Sequence, residues 1–196
     1  AILFFFFFFL VGLWSFFFSI INIYNSAKTK DWPKVIANVK NVKLVHNNHI
    51  HGGESYEVKI NYEYLINNKK YQSKKVGFGY GMNGTEDHVN LYYKLENSKK
   101  IIAFVNPNNN SDSILIKGIN NSIIGILIFS IMWNSLLSIF LIPLLTKDNP
   151  KYSPKKIMPF VVIIWFVGFV LLLTKSTYIS IENKVEIIEY KPDTDK

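Results

Sequence analysis

His46, His49 and His51 fall within one short run, HNNHIHGG. They are the side chains here whose type and spacing come nearest to a metal site. Imidazoles so placed can hold Zn or Cu, and Glu54 is the one carboxylate close by. The same residues also suit a polar hairpin tip, where His, Asn and Gly are ordinary turn formers. A second run, GFGYGMNG at 77–84, precedes a helical stretch, the place where a phosphate could rest. It has neither the Lys-Ser/Thr of a P-loop nor a following βαβ unit. It reads instead as a contact loop with Phe78, Tyr80 and Met82 exposed. The chain has no Cys, which excludes disulfides, thiolate catalysis and cysteine metal sites. No pairing of a nucleophile with a base stands out, so neither catalytic residues nor a cofactor are expected.

The elements that would carry these residues follow from where the charge lies. Of 196 residues, 49% are hydrophobic and only 18% charged, against about a quarter charged in soluble domains. Segments 1–24, 118–146 and 157–174 contain no Lys, Asp or Glu. About 20 apolar residues cross a bilayer, so three transmembrane helices are expected. The first is too long in its apolar part for a cleaved signal and reads as an anchor. Pro143 and Pro159 lie near span ends, where helices tolerate them. Within the second span Ser130, Asn134 and Ser138 recur every four residues on one face. Interhelical hydrogen bonding, worth roughly 0.6–2 kcal/mol per contact, accounts for them. A transport pathway would call for an acid, Lys or His at depth.

The short loop 147–156 holds four Lys and one Asp. By the positive-inside rule it is cytoplasmic, placing the segment between the first two spans outside. The tail at 175–196, with four Lys against five acids, reads as polar and translocated.

Residues 25–117 have the size of one small domain. Between 55 and 66, Tyr56, Val58, Ile60, Tyr62, Tyr64 and Ile66 alternate with polar residues, except at Leu65. This is the pattern of a strand with one buried face. Asn67-Asn68 turns it into a second strand over 69–79. A strand over 34–46 loses its alternation near Lys40-Asn41, which predicts a bulge or a bend. Residues 86–96 read as a helix, with Thr85 as its cap and Glu86 and Asp87 at its positive end. Strands over 100–106 and 113–116 flank a turn-rich NPNNN. The expected fold is an α+β membrane protein: three transmembrane helices, with a small antiparallel β domain carrying one helix inserted between the first and second.

This order of elements resembles the domain-of-unknown-function family 3592, found chiefly in bacterial membrane proteins. The residues that carry the resemblance span roughly 30–140. They are Trp32-Pro33 with Ala37 after the first helix, Tyr62 and Tyr64 leading into the Asn68–Tyr71 hairpin, and Phe104-Val105-Asn106-Pro107 before a short apolar strand. Asn68 stands where the family has glycine, and Asn106 where it has aspartate. The resemblance implies a membrane-anchored β domain and brings no established activity or site residues.

Residues 25–117 hold 14 Lys against eight acids. Without stacking motifs a nucleic-acid partner is not expected; anionic lipid headgroups or solvent account for the surplus. The resulting expectation is a non-enzymatic membrane-anchored binding or assembly module in the plasma (inner) membrane, its β domain extracytoplasmic. Its partners would be the lipid bilayer and a protein or a second copy of itself, met at the Phe78–Met82 loop or at edge strands. A subunit of a larger membrane complex and an immunity-type protein both fit. The alternatives are a metal-binding sensor or enzyme using His46, His49 and His51, and a transporter component assembled around Asn134.

Overall fold

With no charge to interrupt it, the phenylalanine-rich N-terminus winds into helix α1, Ile2–Lys28. In the computed structural model, which describes residues 2–48, 53–82, 86–147, 149–174 and 184–190, the other long apolar segments form α3, Asn121–Leu145, and α4, Pro154–Leu173. At about 1.5 Å per residue even the shortest spans about 30 Å. Among the described residues these three helices are long and apolar enough to cross a membrane.

Contacts among these helices come from indoles and glycines. Trp133 Nε1 donates to the Phe8 carbonyl at 3.2 Å, and Trp165 Nε1 donates to the Met132 carbonyl at 3.0 Å. Phe5 stacks on Phe140 at 4.8 Å. A Cβ at Gly12 would lie 2.6 Å from Asn134 Nδ2, and one at Gly168 would collide with the Met132 thioether. These close approaches require glycine.

The serine and asparagine face behaves differently from the expectation. Ser130 Oγ donates to the Leu127 carbonyl, Asn134 Nδ2 to that of Ser130, and Ser138 Oγ to that of Ser135. All three bonds stay within α3, because short side chains reach a carbonyl one turn back more easily than a neighbouring helix. The long, flat indoles span the gap instead.

The second unit is a six-stranded antiparallel sheet. Its strands are β1, Lys34–Asn48; β2, Glu54–Ile66; β3, Lys69–Ser73; β4, Ser98–Asn106; β5, Asn109–Ile114; and β6, Ile187–Tyr190. The order is β3-β2-β1-β4-β5, with β6 also on β4. Helix α2, Asp87–Glu96, turns His88, Leu91 and Leu95 into the core. Asn67 and Asn68 adopt φ of 49° and 61°, the paired left-handed conformation of a two-residue hairpin turn. Asparagine tolerates it, which explains how this hairpin closes without glycine.

The bulge lies where the alternation broke. Val39 pairs with Tyr62 and Asn41 with Asn61, leaving Lys40 as the extra residue. Ala37 and Val39 before it, and Val42 and Leu44 after it, therefore all reach the same core. Lys40 Nζ projects the other way, 2.7 Å from Glu63, which Lys70 approaches to 3.3 Å. The hydrogen bond from Lys40 is the main force holding the Glu63 carboxyl below its usual range.

The sheet curls until its ends meet. The Leu115 and Ile116 amides both donate to the Val76 carbonyl at 2.9 Å. Tyr62 Oη donates to the Lys75 carbonyl and lies 3.0 Å from Ser113 Oγ, while Tyr64 Oη donates to the Asn110 carbonyl. Burial pushes the Tyr62 phenol up to about 12, so it remains a donor. Strand β3 is shorter than the sequence suggests for this reason: after Ser73 the chain leaves β2 to bond the segment after β5.

The tail holds the largest departure from expectation. Residues 187–190, read as part of a polar tail, pair with β4, and Val185 is only 2% exposed in the core. Alternation over four residues is too brief to separate strand from chance. The Ile102 amide donates to the Glu186 carbonyl, and Lys34 Nζ lies 2.7 Å from the Glu186 carboxylate. Deleting residues 184–196 should lower the domain's unfolding free energy by about 2 kcal/mol or more, the value of one buried Val plus the strand's ladder. Urea unfolding followed by far-ultraviolet circular dichroism measures it; an unchanged midpoint would mean that β6 contributes nothing.

Candidate functional site

One concave feature of the sheet unit lies where β3 abandons β2. Strand β3 covers β2 only from Tyr62 to Ile66, while β1 pairs with it from Glu54 onward. Between the uncovered stretch of β2 and the departing segment 74–77 lies a groove of about 560 Å³, within the usual range of ligand sites. Its charged lining is Lys43, Lys59, Lys74, Lys75 and Glu57, with Asn41 and Asn61 beside them. Strand alternation puts the odd-numbered residues here on the sheet's outer face, because Val58 and Ile60 point into the core. The register sets Lys43 directly opposite Lys59.

Only part of this charge is neutralised. Lys75 Nζ lies 3.2 Å from Asp112 and 3.6 Å from the centre of the Phe78 ring. Among the described residues Lys59 reaches Glu57 alone, at 3.9 Å. Lys43 and Lys74 are exposed and have no acidic partner among the described residues.

Tyr80 closes one end of the groove. Its hydroxyl accepts from the Val58 amide at 2.9 Å and lies 2.7 Å from His88 Nδ1. Burial raises the Tyr80 phenol far above its ordinary value, so the phenol keeps its proton and donates a hydrogen bond to Nδ1. His88 is then the Nε2–H tautomer, assigned from this network. His88 is fully buried, and its Nε2 has no partner among the described residues.

The residues singled out in the sequence are distributed as follows. His46 is exposed, stacks on Tyr56 at 4.8 Å and sits 3.7 Å from Glu54. His49 and His51 lie outside the described residues, as does Thr85. Among the described residues no three of His, Cys, Asp and Glu converge as a metal site. Phe78 and Tyr80 are not the exposed contacts expected. Phe78 packs edge-on against Trp32 at 6.1 Å, and Tyr80 packs on the main core. The glycines beside them turn this loop back on itself. Gly79 has φ of 65°, and a Cβ on Gly77 would press on the Ile116 carbonyl at 3.2 Å. Met82 is more open, at 37% exposure.

Sequence reasoning missed the lysines of the groove. Their outward direction was readable from β2 alternation; their meeting depends on the β1–β2 register and on where β3 departs. A second lysine clamp was also missed. Lys117 Nζ donates to the carbonyls of Lys30 and Trp32 at 2.9 and 2.8 Å and lies 4.3 Å from the Phe104 ring centre. It ties the segment that follows α1 to the one that precedes α3.

No family model matches the chain, and no curated protein and no solved structure gives a significant match.

The His88 network predicts a pH dependence. Burial lowers the His88 pKa and outweighs the opposing charge of neighbouring Asp87. The unfolded chain therefore binds this proton more readily, and stability is lost as pH falls from about 6.5 through the folded value. The urea midpoint of the wild type should drop between about pH 7.5 and 5.5, and His88→Gln should flatten that part of the slope. An equal slope in both proteins would rule His88 out as its source.

Proposed function

We propose that this chain is a non-enzymatic, membrane-anchored binding or assembly module. Its three long helices cross the bilayer, and its sheet domain holds a protein partner at the membrane surface. The observation that carries this reading is the groove beside β2, where Lys43 and Lys74 have no acidic partner among the described residues and the strand runs beyond the reach of β3. Among the described residues its lining has a single carboxylate and no histidine, serine or threonine, a composition suited to recognition rather than to nucleophilic or acid–base chemistry. The resemblance to domain-of-unknown-function family 3592 agrees with such an anchored domain. A subunit of a larger membrane complex and an immunity-type protein remain the two biological settings that fit.

The tail supports three crossings. The pairing of β6 with β4 supports a tail and a sheet domain on one side of the membrane. Helices α3 and α4 then form a hairpin that leaves that side and returns. The turn between them presents exposed Lys147, Lys151, Lys155 and Lys156, which favours a cytoplasmic loop and an extracytoplasmic domain at the plasma (inner) membrane.

Two measurements test this reading. The chain has no Cys, so single cysteines can be labelled on intact cells with a membrane-impermeant thiol reagent. Lys69→Cys should react at once and Lys151→Cys only after lysis; the reverse pattern would place the domain in the cytoplasm. The full-length protein, purified from its native membrane in mild detergent, should bring down a stoichiometric protein identifiable by mass spectrometry. Purification without any companion under every gentle condition would count against a binding module.

A further inference from the structure

We propose that the groove beside β2 binds an extended acidic peptide segment of a partner protein, adding it as a strand while lysines hold its carboxylates. This rests on the binding-module reading and names the chemistry of what is bound.

Charge is the first argument. Lys43 and Lys59 are direct cross-strand neighbours, and like charges so placed destabilise a sheet. Lys74 lines the same opening from the far wall. Lys75 is already occupied by Asp112 and the Phe78 ring, which leaves three ammonium groups facing the lone carboxylate of Glu57. A ligand with carboxylates relieves the Lys43–Lys59 repulsion that the protein alone does not.

The strand edge is the second argument, and it selects a peptide over a small anion. The Val58 amide points away from β1, to the Tyr80 hydroxyl. Alternation sends the backbone groups of Tyr56 and Ile60 to the same side, where β3 does not reach. A peptide strand supplies donors and acceptors for that row, its carbonyl taking the place of the Tyr80 hydroxyl at Val58. Phosphate or a lipid headgroup would use the ammonium groups alone. Residues 57–61 span roughly 17 Å of strand, so about five residues of ligand fit. Every second side chain of an added strand falls on the outer face, where the lysines stand. The recognised sequence therefore carries acids at alternate positions.

Fluorescence anisotropy with the detergent-solubilised full-length protein tests this. The probe is a labelled octapeptide alternating Glu with Thr or Val. Controls are a permuted peptide with its acids in one block, a Lys counterpart, inorganic phosphate and phosphatidylglycerol vesicles. The alternating acidic peptide should bind and weaken as salt rises from about 50 to 300 mM. Lys43→Glu and Lys74→Glu should each weaken it about tenfold. Lys43→Glu should leave the unfolding midpoint equal or higher, since an opposite-charge pair with Lys59 replaces a repulsive one; this separates lost binding from lost folding. Wild-type affinity in both variants would overturn the proposal. So would equal binding of the permuted peptide, or phosphate or vesicles held through Lys43 and Lys74 while the peptide is not. A co-purifying partner retained by both variants would leave the binding-module reading standing and remove this groove as its site.

Discussion

One inserted residue, Lys40, keeps the long strand β1 amphipathic across a change of direction. Side chains alternate along a strand, so a regular strand carrying Ala37 and Val39 inward would turn Val42 and Leu44 outward. The bulge resets the phase, and all four meet the core. The extra residue also raises the local twist, consistent with a sheet that curls far enough for its ends to meet. The charge on Lys40 is used as well: it neutralises Glu63 on the outer face, a carboxylate that is itself largely covered.

Closure of the sheet follows from that curvature and is secured by tyrosines. Tyr62 and Tyr64 fill the interior with their rings and reach its far side with their hydroxyls, bonding the Lys75 carbonyl, Ser113 and the Asn110 carbonyl. A buried phenylalanine would fill similar space and leave those polar groups without partners, at a cost of about 1–3 kcal/mol each. The same closure draws the chain after Ser73 away from β2 and opens the groove. The candidate site is thus a by-product of how the sheet closes, with Tyr80 and His88 packed at its end. Nε2 of His88, unpartnered among the described residues, gives this corner the character of a place where the fold tolerates a polar cost.

The unit of long helices solves a different problem. In the bilayer proposed for them no hydrophobic force acts between helices, so contact depends on small residues and on hydrogen bonds that the helices can spare. Gly12 and Gly168 provide the first. Trp133 and Trp165 provide the second, each donating to a carbonyl of a neighbouring helix. Asn134, in the middle of α3, bonds its own helix through Nδ2 and keeps Oδ1 buried without a partner among the described residues. Polarity at depth here serves close packing against Gly12.

Much of this was legible in one dimension because it depends on local pattern. Runs without charge mark the long helices, since only uncharged segments of that length suit a bilayer. Strict alternation marked β2 and its buried tyrosines, a broken alternation located the bulge at Lys40, and Asn67-Asn68 marked the hairpin turn. What the sequence could not supply are the relations between distant residues. Nothing local to 187–190 says that it pairs with β4, and nothing near Phe78 or Tyr80 says that the glycines fold them inward. The Lys43–Lys59 opposition exists only through the β1–β2 register, and the groove exists only because β3 ends where the closing segment begins. Pattern reports which face of an element is apolar; which elements meet, and which charges are thereby forced together, is settled by packing.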